Sequence, residues 1–256
     1  MAQAPQSKKS LSLWQMLPNL LTLSAICAGM TAIRFAMQGR IEFAVFLILV
    51  AAILDGLDGR LARLLKTESE IGAELDSLAD FMNFGVATGI VMYLYGLQSS
   101  SEGWILVLIY AICCVMRLAR FNVDAKARPK DEQRRNFVGV PSPAGALLVM
   151  FPLFVHKTFP ELGAPNQWFV GGAMLVSGLL MISRVPTPSL KSVTIPREYA
   201  RFLVLAIIGI VAVLFTWPWA TLVVLSTIYL GSIVWTWRRA HVWKDMGHKD
   251  ENHTQS

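Results

Sequence analysis

The chain has 256 residues, 54% of them hydrophobic and 16% charged, with a net charge of +6 and a mean hydropathy of +0.50. A charged fraction well below the roughly 25% of soluble domains, with apolar runs of about 20 residues recurring along the chain, excludes a water-soluble globular fold and points to an all-α integral membrane protein. The positive charge does not argue for nucleic acid, because no soluble basic domain is present to carry it.

In chain order, residues 1–17 form a polar lead-in whose end, "SLSLWQML", suits a helix lying along the membrane surface, with Lys9 and Trp14 at the interface. It lacks the short apolar core and small-residue cleavage site of a signal peptide. Eight membrane-spanning helices are then expected, at about 18–37, 42–65, 75–97, 103–122, 139–156, 166–184, 200–217 and 219–237. They make one transmembrane catalytic domain, 18–240, followed by a polar tail, 241–256, expected to be disordered. With the N-terminus in the cytoplasm, all but three of the 23 Lys and Arg fall on the cytoplasmic side; Arg40 and Lys157 fall opposite and Arg34 inside the first span. The positive-inside rule therefore puts both termini in the cytoplasm, and that basic side attracts anionic lipid headgroups. Cys27, Cys113 and Cys114 all lie in spans and read as buried small apolar groups. His156, His241, His248 and His253 show no metal-ligand spacing.

The second and third spans break the apolar pattern with four aspartates. Asp55, Asp58, Gly59 and Ala62 fall at i, i+3, i+4 and i+7, one face of a helix, and Gly72, Asp76 and Asp80 at i, i+4 and i+8, again one face. The short link around "KTESE" makes the two helices neighbours, so four carboxylates converge near one membrane surface. One Asp at a helix centre costs about 2.5–3.5 kcal/mol on insertion scales, and like charges add repulsion. Ion pairing with Arg60, Arg63 and Lys66 would relieve the charge but explains neither the spacing nor the glycines. Carboxylate-only ligation suits Mg²⁺ or Mn²⁺, and two pairs of carboxylates suggest two cations, an arrangement suited to displacement at phosphorus. Gly59 and Gly72 leave room for a ligand against the backbone, Ala62 keeps the same face open, and Arg63 suits a phosphate. Gly72 can instead serve close helix packing, the preferred reading for Gly85 and Gly89.

Asp55-x-x-Asp58-Gly59-x-x-Ala62-Arg63, eight residues, Gly72-x-x-x-Asp76-x-x-x-Asp80 resembles the signature of the CDP-alcohol phosphatidyltransferase family at every fixed position. The stretches "PNLLTL" (18–23), "RLARFNV" (117–123), "FVGVPSPAGA" (137–146) and "SRVPTPSLK" (183–191) are similar to the bacterial, membrane-embedded branch that uses serine as acceptor. One departure is Thr88, where the family resemblance leads one to expect proline. The resemblance implies transfer of the phosphatidyl group from CDP-diacylglycerol to the hydroxyl of L-serine, with release of CMP. It implies that Asp55, Asp58 and Asp76 hold a first cation, that Asp80 joins in holding a second and acts as general base, and that Gly59, Ala62, Arg63 and Gly72 line the CDP site. It further implies a homodimer in the bacterial inner membrane with the active site facing the cytoplasm.

Acceptor or phosphate contacts are sought among polar groups near the same surface. Arg117 and Arg120, at i and i+3, suit a carboxylate or phosphate, with a positive-inside anchor as the competing account. Asn19 and Thr22, one turn apart, face the same side and suit the nucleotide or serine, with helix capping by Asn19 as the alternative. Lys191 and Arg197 flank a loop on that side, and "DAKARPKDEQRRN" (124–136) reads as a solvated loop. Glycerol 3-phosphate, an inositol phosphate or choline would use the same carboxylates. From other classes, a divalent-cation transporter would need polar groups across the whole bilayer, and a soluble prenyl-chain enzyme would lack the spans.

Overall fold

The computed structural model describes residues 13–67, 69–127, 139–183, 205, 208–209 and 212–253. Regular structure among these residues is helical throughout, with no strand. Contacts divide the chain into two compact units, Met1–Asn83 and Phe84–Ser256.

The first unit is built on α1 (Leu13–Met37) and α2 (Ile41–Leu65), joined by a three-residue turn and packed along their length. Small residues permit that close approach: Ala25, Gly29, Ala32 and Ala36 are buried on α1, and Ala44, Val45, Ile48 and Ala51 on α2. In lipid, where no hydrophobic drive separates helix from tail, such small faces are what bring backbones together. At the turn the Arg40 guanidinium lies 4.8 Å from the Phe35 ring centroid and 4.1 Å from that of Phe43. Lys66 ends α2 in the left-handed conformation (φ 54°), and the Thr67 N–H donates to Ala62 O at 3.0 Å. Ser69 opens α3 (Glu70–Asp80) as its N-cap, its Oγ accepting from the Gly72 N–H at 3.0 Å.

A π-helical stretch, Phe81–Ala87, follows α3 directly and passes into α4 (Thr88–Gly96). The second unit continues with α5 (Gly103–Ala127), α6 (Ser142–Val149), α7 (Phe151–Thr158), α8 (Gln167–Ile182) and α9 (Pro218–His253). Its core includes Phe84, Met92, Tyr110, Leu153, Phe154, Met174 and Met181, all fully buried. The Tyr110 hydroxyl donates to Phe84 O at 2.8 Å. A Cβ on Gly89 would lie 3.3 Å from Val107, in keeping with its packing role.

Among the described residues, four helical stretches are long and apolar enough to cross a membrane: Met16–Met37, Glu70–Gly96, Gly103–Asp124 and Pro218–Arg238. Leu, Ile and Phe side chains such as Phe46, Ile112 and Leu179 stand exposed on the helices, as lipid-facing groups do. The expected span at 42–65 is helical for 25 residues, but Glu42, Asp55, Asp58, Arg60 and Arg63 interrupt its apolar run. That at 166–184 is a shorter apolar helix, Gln167–Ile182. The expected span at 139–156 divides at Met150 into α6 and α7, because Pro152 supplies no N–H and its ring crowds the carbonyl four residues back. Half of the span expected at 200–217 lies outside the described residues. Residues 13–17, expected along the surface, run into α1 without a break, and residues 1–12 are outside the described set.

One expectation is corrected. Cys27 is exposed on α1 rather than buried, which an apolar thiol facing lipid tolerates; Cys113 and Cys114 are buried as expected. The helix α9 extends past the expected end of the last span to His253.

Candidate active site

Asp55 and Asp58 sit three residues apart on α2, and Asp76 sits six residues into α3. One carboxylate oxygen from each of the three lies within 4.8 Å of the other two. Asp55 and Asp76 stand within hydrogen-bonding reach of one another. Carboxylates at that separation repel unless something positive lies between them. Hard oxygen donors alone, gathered from two helices, fit a divalent cation of the Mg²⁺ or Mn²⁺ type. Asp80, one turn further along α3 and half-buried, stands outside this group of three.

Asp58 is 3% exposed and Thr22 is 4% exposed. The Thr22 hydroxyl donates to Asp58 Oδ2 at 2.5 Å, with Pro18 O 3.1 Å away as its other neighbour. Thr22, expected to face a substrate, thus meets a carboxylate of the cluster. Asn19 lies within α1, six residues after its start, so it does not cap that helix. It faces Gly72 instead: a Cβ there would sit 3.1 Å from both Asn19 Oδ1 and Ser69 Oγ.

Around Gly59 the surface is open, and a Cβ would meet nothing within 4 Å. Arg63, one turn on and exposed, folds back so that its Nε donates to Gly59 O at 2.9 Å. Ala62 is half-buried beside it. Gly59, Ala62 and Arg63 therefore form a continuous patch at the end of α2 that carries Asp55 and Asp58.

In the second unit the two arginines of "RLARFN" have different surroundings. Arg120 Nη1 donates to Ile182 O at 2.8 Å and Nη2 to Ser183 O at 3.3 Å, satisfying carbonyls at the end of α8. Gly139 (φ 90°) packs into the same corner, where a Cβ would come within 2.8 Å of Met181 O and Ser183 O. Arg117 Nη1 instead donates to Ser142 Oγ at 2.6 Å. Sequence reasoning missed Ser142 and Ser69 as individual positions. The signal for Ser69 was available, a serine just ahead of a helical run. Lys191, Arg197 and most of the 124–136 loop lie outside the described residues.

A sequence model of the family described as CDP-alcohol phosphatidyltransferase matches residues 15–185. The chain is 39% identical over 254 residues to the CDP-diacylglycerol–serine O-phosphatidyltransferase of Mycobacterium leprae (strain TN), covering 96% of this chain and 84% of that one. It is 34% identical over 221 residues to the protein of the same description from Helicobacter pylori (strain J99), covering 85% and 90%. With that of Bacillus subtilis (strain 168) it shares 30% over 177 residues, covering 68% and 91%.

Proposed function

This chain belongs to the CDP-alcohol phosphatidyltransferase family, and from that premise we propose that it transfers the phosphatidyl group of CDP-diacylglycerol to the hydroxyl of L-serine and releases CMP. The observation that carries the reading is the meeting of Asp55, Asp58 and Asp76, within 4.8 Å, on the helices that bear the family's signature. The serine acceptor is supported by relatives described as serine O-phosphatidyltransferases across most of their length. Family membership sets aside the transporter reading.

Asp55, Asp58 and Asp76 would hold one divalent cation, and Asp80 would join in holding a second; a cation held there would supply neutralisation of phosphate charge and Lewis-acid polarisation at phosphorus. Gly59, Ala62, Arg63 and Gly72 line the place for the CDP moiety: the open backbone at Gly59 admits it, and Arg63 offers a planar fork to phosphate. Asp80 takes the proton of the serine hydroxyl as its oxygen attacks the phosphorus that carries the diacylglycerol. The bond from that phosphorus to CMP breaks, and CMP leaves. Thr22 holds Asp58 in place, and Asn19 borders Gly72.

The one-sided distribution of Lys and Arg supports eight spans, both termini in the cytoplasm and an active site at that face of a bacterial inner membrane. A homodimer accords with the family resemblance.

The test is CMP release by purified protein in detergent with CDP-diacylglycerol and Mn²⁺ or Mg²⁺, with and without L-serine. Release that depends on serine and on the cation, and that falls by about 10²-fold or more in Asp80→Asn, is the expected result. Release with another alcohol but not with serine overturns the acceptor and keeps the family.

A further inference from the structure

We propose that the turn between α1 and α2 binds the phosphate of a bilayer phospholipid, held by Arg40 against the rings of Phe35 and Phe43. All the groups involved belong to the first unit, Met1–Asn83. The two rings are stacked, with centroids 5.8 Å apart and planes at 29°. The Arg40 guanidinium lies 4.8 Å from the Phe35 centroid and 4.1 Å from that of Phe43. Those three distances make a triangle, so the guanidinium rests beside both rings rather than between them. The Arg40 N–H donates to Phe35 O at 2.9 Å, which ties the turn back onto α1. Gly39 allows that turn with a φ of 74°, and a Cβ there would meet nothing within 4 Å, so the surface next to Arg40 is open. Arg40 holds the N-cap position of the 25-residue α2 and makes no side-chain cap hydrogen bond.

The chemistry of the ligand follows from what these groups offer. Aromatic rings hold a guanidinium through its charge, while its N–H groups point outward in its own plane and suit an acceptor there. The first turn of α2 adds the positive end of the helix dipole. A donor fork beside a positive helix end selects an anion with several oxygens, and phosphate matches the fork. Position in the bilayer says which phosphate. The stretch Met16–Met37, long and apolar enough to cross a membrane, ends three residues before Arg40. That sets the guanidinium at the boundary of the hydrocarbon, where lipid phosphates lie. Further along α2, Phe43, Phe46 and Ile53 stand exposed, and spacings of three and seven residues keep them on one face. Phe46 and Ile53 lie about 9 and about 20 Å from Arg40 along the helix axis. A cationic corner above an apolar strip of that length fits a headgroup with its acyl chains attached; a free phosphate would leave the strip unused. Asp55 and Asp58 lie more than about 20 Å from Arg40 along the same axis, so this site is separate from the carboxylate cluster. Glu42, the acidic residue of the same first turn, opposes a second anion and gives one variant a definite sign.

The experiment uses the full chain, stripped of lipid in detergent, with bound lipid titrated by native mass spectrometry. The probes are dioleoylphosphatidylglycerol, dioleoylglycerol, which lacks the phosphate, and inorganic phosphate as competitor. Wild type is expected to hold one phosphatidylglycerol more tightly than Arg40→Gln does, by about fivefold or more in Kd. Arg40→Lys keeps the charge without the planar fork, and Phe43→Leu removes one ring; both are expected to fall between those two. Glu42→Gln should tighten binding about twofold. Dioleoylglycerol should bind every form alike. Melting temperature and Mn²⁺ titration report whether each variant keeps the fold. Equal phosphatidylglycerol affinity in wild type and folded Arg40→Gln overturns the site. So does an equal loss of dioleoylglycerol, which makes the corner a packing contact. Displacement of the lipid by millimolar inorganic phosphate also overturns it, since the site then takes the free ion. CMP release enters none of these comparisons, so the site and the serine-transfer reading stand or fall separately.

Discussion

Thr22 gives the site its most direct link between α1 and the carboxylates. Its hydroxyl spends its single proton on Asp58 Oδ2 at 2.5 Å, and both residues are nearly inaccessible. A ligand oxygen held in this way keeps its orientation when a cation arrives, and removing such support commonly lowers metal affinity by about 10–100-fold. Thr22→Val should therefore weaken Mn²⁺ binding about tenfold or more, while Thr22→Ser, which keeps the hydroxyl, should bind as wild type does. Mn²⁺ titration of the full protein followed by electron paramagnetic resonance measures both. Equal affinity in wild type and Thr22→Val would remove Thr22 from any positioning role. At this scale the carboxylates were legible because helical spacing alone puts Asp55 and Asp58 on one face. The partner of Thr22 was not, because a contact between residues 36 apart depends on how α1 meets α2. The alternative of capping by Asn19 fails because α1 starts at Leu13, ahead of the expected span, and the neighbour of Asn19 at Gly72 belongs to another helix.

Among the elements, α1 comes close to Asn83 in the π-helical stretch at Gly29. A Cβ on Gly29 would come to 2.1 Å from Asn83 Oδ1 and 3.1 Å from its Cγ. Asn83 is 0% exposed, so it has no open side to retreat to. Gly29→Ala is expected to destabilise the protein by about 1–3 kcal/mol, the usual cost of overpacking. A lower melting temperature in detergent, with Mn²⁺ affinity less affected than in Thr22→Val, is the corresponding observation. An unchanged melting temperature would mean that α1 and Asn83 separate at no cost. Apolar length located the four stretches that, among the described residues, are long and apolar enough to cross a membrane, since it depends only on composition along the chain. It did not reveal the break at Met150, although Pro152 was there to signal it. The π stretch after Asp80 had no such signal. Such bulges arise where helix register gives way to packing, and they recur at functional sites.

For the whole molecule, charge asymmetry is the strongest topological statement. Cysteines introduced at Arg40 and Lys157 should react with a membrane-impermeant thiol reagent added outside intact cells. One introduced at Arg238 should react only after permeabilisation. Labelling at 238 in intact cells would reverse the orientation and move the proposed active site to the other face. The hydrophobic character of the molecule was legible from composition, whereas its division into two compact units was not, because units are defined by contacts across the chain. That division bears on biosynthesis. Asp55, Asp58 and Asp76, with Thr22, Asn19 and Gly72 around them, all lie within Met1–Asn83. The carboxylate cluster is therefore synthesised before any residue of the second unit, and in a cell short of divalent metal its unneutralised aspartates would meet the membrane at the moment of insertion.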